Sequence, residues 1–233
     1  MRMIICGYEK FSMVDYDGNI ACTVFTGGCN FRCPFCHNAP LVIGDLAQEQ
    51  MNGEEVFDYL KKRKGLVDAV CVTGGEPTLQ PDLAEFLQKV RDMGYKTKLD
   101  TNGLRPDVFE KILSGGLVDY VAMDVKNSPQ KYPLTVGLDR VDISKIQASI
   151  DLLNASGVDH EFRTTLIKEF HTDDDMQAIA AMVKNTPRYF MQKYKDIDGC
   201  IAHGYTPVDK ADALRFKTYF ENTVPHVDLR GYN

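Results

Sequence analysis

The sequence predicts an α/β fold in which parallel strands alternate with helices, arranged as an open, partial barrel or a doubly wound sheet. Three observations predict it. Short apolar runs alternate with segments of helical periodicity along the 233 residues, and such alternation joins parallel strands by right-handed crossovers. About six βα units can be read, too few for a closed eight-fold barrel. The polar motifs each follow a strand: 27–38, 74–77, 100–103 and 124–126. That is where α/β proteins gather their chemistry.

The elements follow in order. Ala21–Thr26 (ACTVFT) reads as a buried strand, and so do Val67–Thr73, Tyr95–Leu99, Val118–Val125, Val158–Ile167 and Arg188–Tyr194. His226–Leu229 adds an edge strand. Between them, Val56, Phe57 and Leu60 mark a helix. Leu83, Phe86, Leu87 and Val90 form one apolar stripe at i, i+3, i+4 and i+7. Ile146, Ile150 and Leu153 mark another, and Met176, Ile179, Ala180 and Val183 a fourth behind the acidic run Asp173 to Asp175. Pro81 and Pro106 stand where first helical turns should begin.

Length and composition suit one domain spanning 1–233, with a core at about residues 18–200 and a C-terminal extension at 201–233. The net charge of −6 disfavours general binding to nucleic acid or an anionic membrane. No apolar run approaches the roughly 18–20 residues that span a bilayer, and Met1 to Lys10 is not a signal peptide. The expectation is a soluble cytoplasmic protein. Seven cysteines (Cys6, Cys22, Cys29, Cys33, Cys36, Cys71 and Cys200) are an odd number without an export signal, which argues against a disulfide framework. Cys22 and Cys71 fall in predicted strands and are expected in the core.

Three cysteines cluster as Cys29-Asn-Phe-Arg-Cys33-Pro-Phe-Cys36. Thiolates suit iron–sulfur clusters and zinc. Structural zinc wants four closed ligands. His37 as the fourth would have to chelate the same ion as its neighbour Cys36. A cytosolic redox Cys-x-x-Cys leaves Cys29 unexplained. Three thiolates on a four-iron cluster leave one iron open for a substrate.

Cys-x3-Cys-x2-Cys with an aromatic residue, Phe35, before the last cysteine is the radical S-adenosylmethionine (SAM) signature. The segment Phe11 to Pro40, with "VTGGEPTLQPDL", "KLDTNG", "DYVAMDVK" and "EFRTTL", resembles the activating enzymes of glycyl-radical proteins. It is most similar to those of anaerobic (class III) ribonucleoside-triphosphate reductase, with pyruvate formate-lyase activating enzyme a more distant relative. The resemblance implies a partial (β/α)6 TIM-like barrel of the radical SAM type and an oxidoreductase. Cys29, Cys33 and Cys36 would be the catalytic ligands of a [4Fe–4S] cluster. SAM would chelate the fourth iron and be cleaved reductively, to abstract hydrogen from a glycine of the partner. Gly74, Gly75, Glu76 and Pro77 would meet its methionine amino group, Lys126 and Arg163 its carboxylate side, Asn102 its ribose, and Phe35, His37 and Asn38 its adenine. Asp100 and Asp124, with the carbonyls of Thr101 and Ala122, would hold a monovalent cation. Where the distant relative carries a late histidine, this chain has Tyr194-Lys195. The implied partners are a glycyl-radical enzyme and a flavodoxin or ferredoxin-type electron donor. Phe11 to Gly18 and the region from Asp196 onward are the candidate docking surfaces. A radical enzyme for another glycyl-radical protein or a small molecule, and a zinc-binding interaction module, are the alternatives.

Overall fold

The computed structural model describes residues 3–46 and 50–232. Eight strands are hydrogen-bonded in chain order: β1 (Ile5–Ser12), β2 (Ala21–Thr26), β3 (Ala69–Gly74), β4 (Lys96–Thr101), β5 (Tyr120–Asp124), β6 (Asp159–Leu166), β7 (Arg188–Lys193) and β8 (His226–Arg230). β1 is antiparallel to β2, while β2–β3, β3–β4, β6–β7 and β7–β8 pair in parallel. The sheet is open, with β1 and β8 at its ends. The helices are α1 (Ala39–Ile43), α2 (Glu54–Lys62), α3 (Leu83–Asp92), α4 (Pro106–Ser114), α5 (Tyr132–Thr135), α6 (Ile143–Ala155), α7 (Asp173–Met182) and α8 (Lys210–Lys217). The expected α/β architecture is therefore present, and every strand read from an apolar run forms within two residues of its predicted bounds.

The sequence reading missed β1. Its residues Glu9, Lys10 and Phe11 are exposed, and two register shifts interrupt its pairing, so it lacks the alternation that marks a half-buried strand. The turn from β1 to β2 lies at the N-terminal end of β2, whereas Cys29 follows its C-terminal end. Within Phe11 to Gly18, one expected docking surface, Asp15 reaches back along the sheet to accept from Thr23 Oγ1 of β2 at 2.6 Å.

Contacts group the chain into two compact units. The first comprises residues 1–30, 38–101 and 107–121. Its core is the β2–β4 sheet, with Val24, Val70, Val72 and Leu99 fully buried, against the α3 stripe of Leu83, Phe86, Leu87 and Val90. Burying each such side chain contributes about 1.5–3 kcal/mol. Cys22 and Cys71 are core residues as expected, each 0% exposed. The second unit comprises residues 31–37, 102–106 and 122–233. Tyr189 of β7 stacks on Phe220 at 4.2 Å and donates its hydroxyl to Thr164 Oγ1 of β6, 2.5 Å away. The acidic first turn of α7 is capped as its sequence suggests: Thr172 N donates to Asp175 Oδ2 at 2.9 Å.

Candidate active site

The cysteine loop leaves the C-terminal end of β2, and its first half is fastened by the motif that follows β3. Gly75 N donates to Thr26 O (2.8 Å), Glu76 N to Gly28 O (2.7 Å) and Gly28 N to Leu41 O (2.7 Å). The Gln80 amide donates to Gly27 O at 2.7 Å, and Asn38 Nδ2 donates to Gly74 O at 3.0 Å. The approach is so close that a Cβ on Gly75 would stand 2.0 Å from Gly28 O, and one on Gly74, whose φ is +108°, 2.4 Å from Thr26 N. Two glycines are required here because backbone lies against backbone. Glu76 is buried, and its Oε1 accepts from Thr78 N (3.0 Å), Thr78 Oγ1 (2.5 Å) and Thr101 Oγ1 (2.7 Å). Its carboxylate thus braces the turn onto the end of β4, and Pro77 opens a 3-10 turn beside it.

At the end of β4, Asp100 Oδ1 lies 3.0 Å from the Lys98 ammonium. Thr73 Oγ1 donates to Asp100 Oδ2 at 3.3 Å.

In the second unit, Phe31 to His37 form the other half of the loop. Arg32 N donates to Val136 O at 2.8 Å, Cys36 N turns back to Cys33 O at 3.0 Å, and Ala202 N donates to Pro34 O at 2.7 Å. His37 Nε2 pairs with Lys195 O at 2.8 Å, and its ring stacks on Tyr194. Gly199 packs so closely on His37 O that a Cβ would come within 2.6 Å. The segment after β7 where the distant relative's histidine is missing therefore still reaches the loop, through Lys195 and Tyr194. Phe35 is buried, with its ring 6.0 Å from that of Phe170.

Asp124 ends β5 between two cations. Its Oδ2 lies 2.9 Å from Lys126 Nζ and its Oδ1 2.9 Å from Arg163 Nε. Burial pushes the Asp124 carboxyl up, but the guanidinium of Arg163 and the ammonium of Lys126 prevail and bring it down to about 2. Burial works against the Lys126 ammonium, but Asp124 and then the Cys33 thiolate hold its pKa above the ordinary lysine value. Both cations pair with the one carboxylate, and such charge-assisted groups also suit an anionic ligand. His171, buried, is tied by Nε2 to Lys126 O at 3.0 Å. Asn102 is buried and its side chain accepts from Leu104 N at 3.1 Å, an Asx turn. Thr101, the last residue of β4, and Ala122, in the middle of β5, are buried. The two carboxylates expected to hold a monovalent cation each pair with protein cations.

None of the seven cysteines is in a disulfide. Cys33 is buried and Cys29 and Cys36 are half-buried. Among the described residues no three His, Cys, Asp or Glu side chains converge on a single metal ion. In a four-iron cluster each thiolate binds a different iron, whereas a closed zinc site draws four ligands onto one ion. The donor set, three thiolates on one loop rooted in glycine-tight backbone, fits such a cluster.

The model of the radical SAM superfamily matches residues 23–183. The chain belongs to the radical SAM superfamily. This radical SAM chain is 33% identical, over 96% of its length and 96% of the relative's, to a Methanocaldococcus jannaschii protein named "Putative glycyl-radical enzyme activating enzyme MJ1227". It is 33% identical to the pyruvate formate-lyase-activating enzyme of Clostridium pasteurianum over 51% of this chain and 50% of that one. Homology to glycyl-radical enzyme activating enzymes is thus established. The same fold recurs in SuiB of Streptococcus suis bound to S-adenosylmethionine, at a TM-score of 0.64 and 17% identity, over 88% of this chain and 48% of that one. It recurs also in a domain of pyruvate-formate lyase-activating enzyme from Bacteroides vulgatus (TM-score 0.58, 14% identity, 70% and 99% covered). The superfamily implies a [4Fe–4S] cluster and S-adenosylmethionine.

Sequence reasoning did not single out Thr78, Gln80, Lys98 or His171, which the structure puts in these networks. For Lys98 a signal existed: it stands two residues before Asp100 in one strand, so the two share a face.

Proposed function

We propose that this chain is a radical SAM activase that generates a glycyl radical on an anaerobic (class III) ribonucleoside-triphosphate reductase. The observation that carries the activase reading is the match to the M. jannaschii relative over nearly the whole of both chains, since a half-chain match speaks only for the shared catalytic core. The reductase as target is supported by the full set of motifs taken together, Phe11 to Pro40 with "VTGGEPTLQPDL", "KLDTNG", "DYVAMDVK" and "EFRTTL".

Bound here, a [4Fe–4S] cluster and SAM would supply one-electron chemistry able to remove a hydrogen atom from a glycine. Cys29, Cys33 and Cys36 would hold the cluster. The backbone of Gly74 and Gly75, bare of side chains, would take the methionine amino group, while Glu76 holds that backbone still. Lys126 and Arg163, both paired with Asp124, would face the carboxylate. Phe35, His37 and Asn38 would lie by the adenine, and Asn102, fixed by its turn, by the ribose. A flavodoxin or ferredoxin-type protein would deliver the electron.

Activation of a pyruvate formate-lyase type partner is the second reading, favoured by the half-chain match to the C. pasteurianum enzyme. The test is anaerobic electron paramagnetic resonance of the reduced, cluster-loaded protein with SAM and each candidate partner. A glycine-centred doublet on the reductase alone supports the first reading, a doublet on the formate-lyase alone supports the second, and none on either refutes both.

A further inference from the structure

Asp100 stands at the end of β4, and the resemblance would give it a monovalent cation. The structure puts a lysine there. Lys98 lies two residues earlier on the same face of the strand and is 5% exposed. Its ammonium is 3.0 Å from Asp100 Oδ1 and donates to Asp15 O at 2.5 Å. Asp15 is held in turn, its Oδ2 accepting from Thr23 Oγ1 at 2.6 Å. A buried ammonium is costly unless paired and hydrogen-bonded, and here it is both. A monovalent cation at Asp100 would have to displace or crowd a covalently tethered one at hydrogen-bond distance. In the other unit Asp124 is engaged by Lys126 and Arg163 together, so it carries no surplus negative charge either. The residues present do not fit an added monovalent cation.

We propose that Lys98 is the resident counter-cation of Asp100, a positioning residue that fixes this carboxylate at the strand end, and that the protein works without a bound monovalent cation. The proposal rests on the SAM-cleaving reading of the same site. A tethered ammonium holds its charge at every salt concentration, whereas a free ion must be bound from solution. It also orients Asp100 from below, along the strand, leaving the carboxylate's position set by β4.

The experiment has two arms. Cluster-loaded wild type is assayed for 5′-deoxyadenosine in buffers whose sole monovalent cation is tetramethylammonium, then potassium, then sodium. Cluster-free protein is titrated with thallium(I), a potassium mimic, and followed by thallium NMR. Wild type is expected to cleave SAM at one rate in all three buffers and to show no saturable thallium binding. Lys98→Met is expected to lose at least about tenfold in tetramethylammonium, as a broken buried charge pair should. It should regain activity with potassium or sodium and bind thallium saturably, while Lys98→Arg stays independent of the cation. Saturable thallium binding by wild type, or wild-type activity that requires potassium or sodium, overturns the proposal. So does a folded Lys98→Met indifferent to cation in both arms. If Lys98→Met does not fold, the wild-type arms decide alone. Absence of 5′-deoxyadenosine in every salt counts against the radical reading, and the thallium titration still decides the proposal.

Discussion

Gly75→Ala tests how the cysteine loop is held. The added Cβ would stand 2.0 Å from Gly28 O, 2.7 Å from Gly28 C and 3.2 Å from Gly28 N. Non-bonded heavy atoms settle at roughly 3.5–4 Å, so the two strands of backbone must part by more than about 1 Å. No rotamer relieves the clash, because both sides are main chain. Parting them breaks the Glu76 N to Gly28 O bond of 2.7 Å. Overpacking of this kind costs about 1–3 kcal/mol, and a buried amide left unpaired about 1–3 kcal/mol more. The expected loss is therefore about 2–6 kcal/mol. Urea unfolding of the cluster-free protein reads it, and iron and sulfide content after reconstitution reads the displacement of Cys29, the residue after Gly28. A Gly75→Ala protein with wild-type stability and a full cluster would refute the claim that these loops are locked by direct backbone contact.

Other expectations follow from the site's charges and bonds. Thr101→Val removes one of the donors to Glu76 Oε1 and should cost about 1–2 kcal/mol, with weaker SAM binding by calorimetry. Asp124, with its pKa lowered from 3.8 to about 2, stabilises the fold above the unfolded carboxyl pKa by about 2 kcal/mol; this is lost as pH falls through about 2, and Asp124→Asn should remove it at pH 7 in thermal melts. His171 is buried, and burial pushes its pKa below the ordinary 6.5 despite the bonds to Lys126 O and Ile167 O. Since the unfolded chain takes up that proton first, stability should fall as pH drops below about 6.5, and His171→Gln should flatten that slope in a melt-versus-pH series.

The parallel strands were legible because strands buried on both faces read as continuous apolar runs; VCV of β3 and VAM of β5 are such runs, each fully buried. β1 was not, since an edge strand with bulges and an exposed Glu9-Lys10-Phe11 stretch carries no such pattern. The cysteine loop and the glycine motif could be placed from sequence as features following strands. Their mutual stitching could not, because it runs through main-chain atoms: Gly28 O, Thr26 O and Gly74 O look the same in every sequence. Asp100 and Asp124 were read as cation ligands from the resemblance to the activating enzymes, not from their own surroundings. Lys98 carried a signal in its spacing two residues before Asp100, whereas Arg163 meets Asp124 only when the fold brings β6 to β5.

The central claim is that Cys29, Cys33 and Cys36 support reductive cleavage of SAM. The most direct test is anaerobic reconstitution with iron and sulfide, reduction, addition of SAM and chromatographic measurement of 5′-deoxyadenosine, with Cys33→Ala alongside. Formation of 5′-deoxyadenosine by wild type and none by Cys33→Ala is the predicted result. A fully loaded wild-type cluster that yields none, or a Cys33→Ala protein that yields as much, would contradict the account.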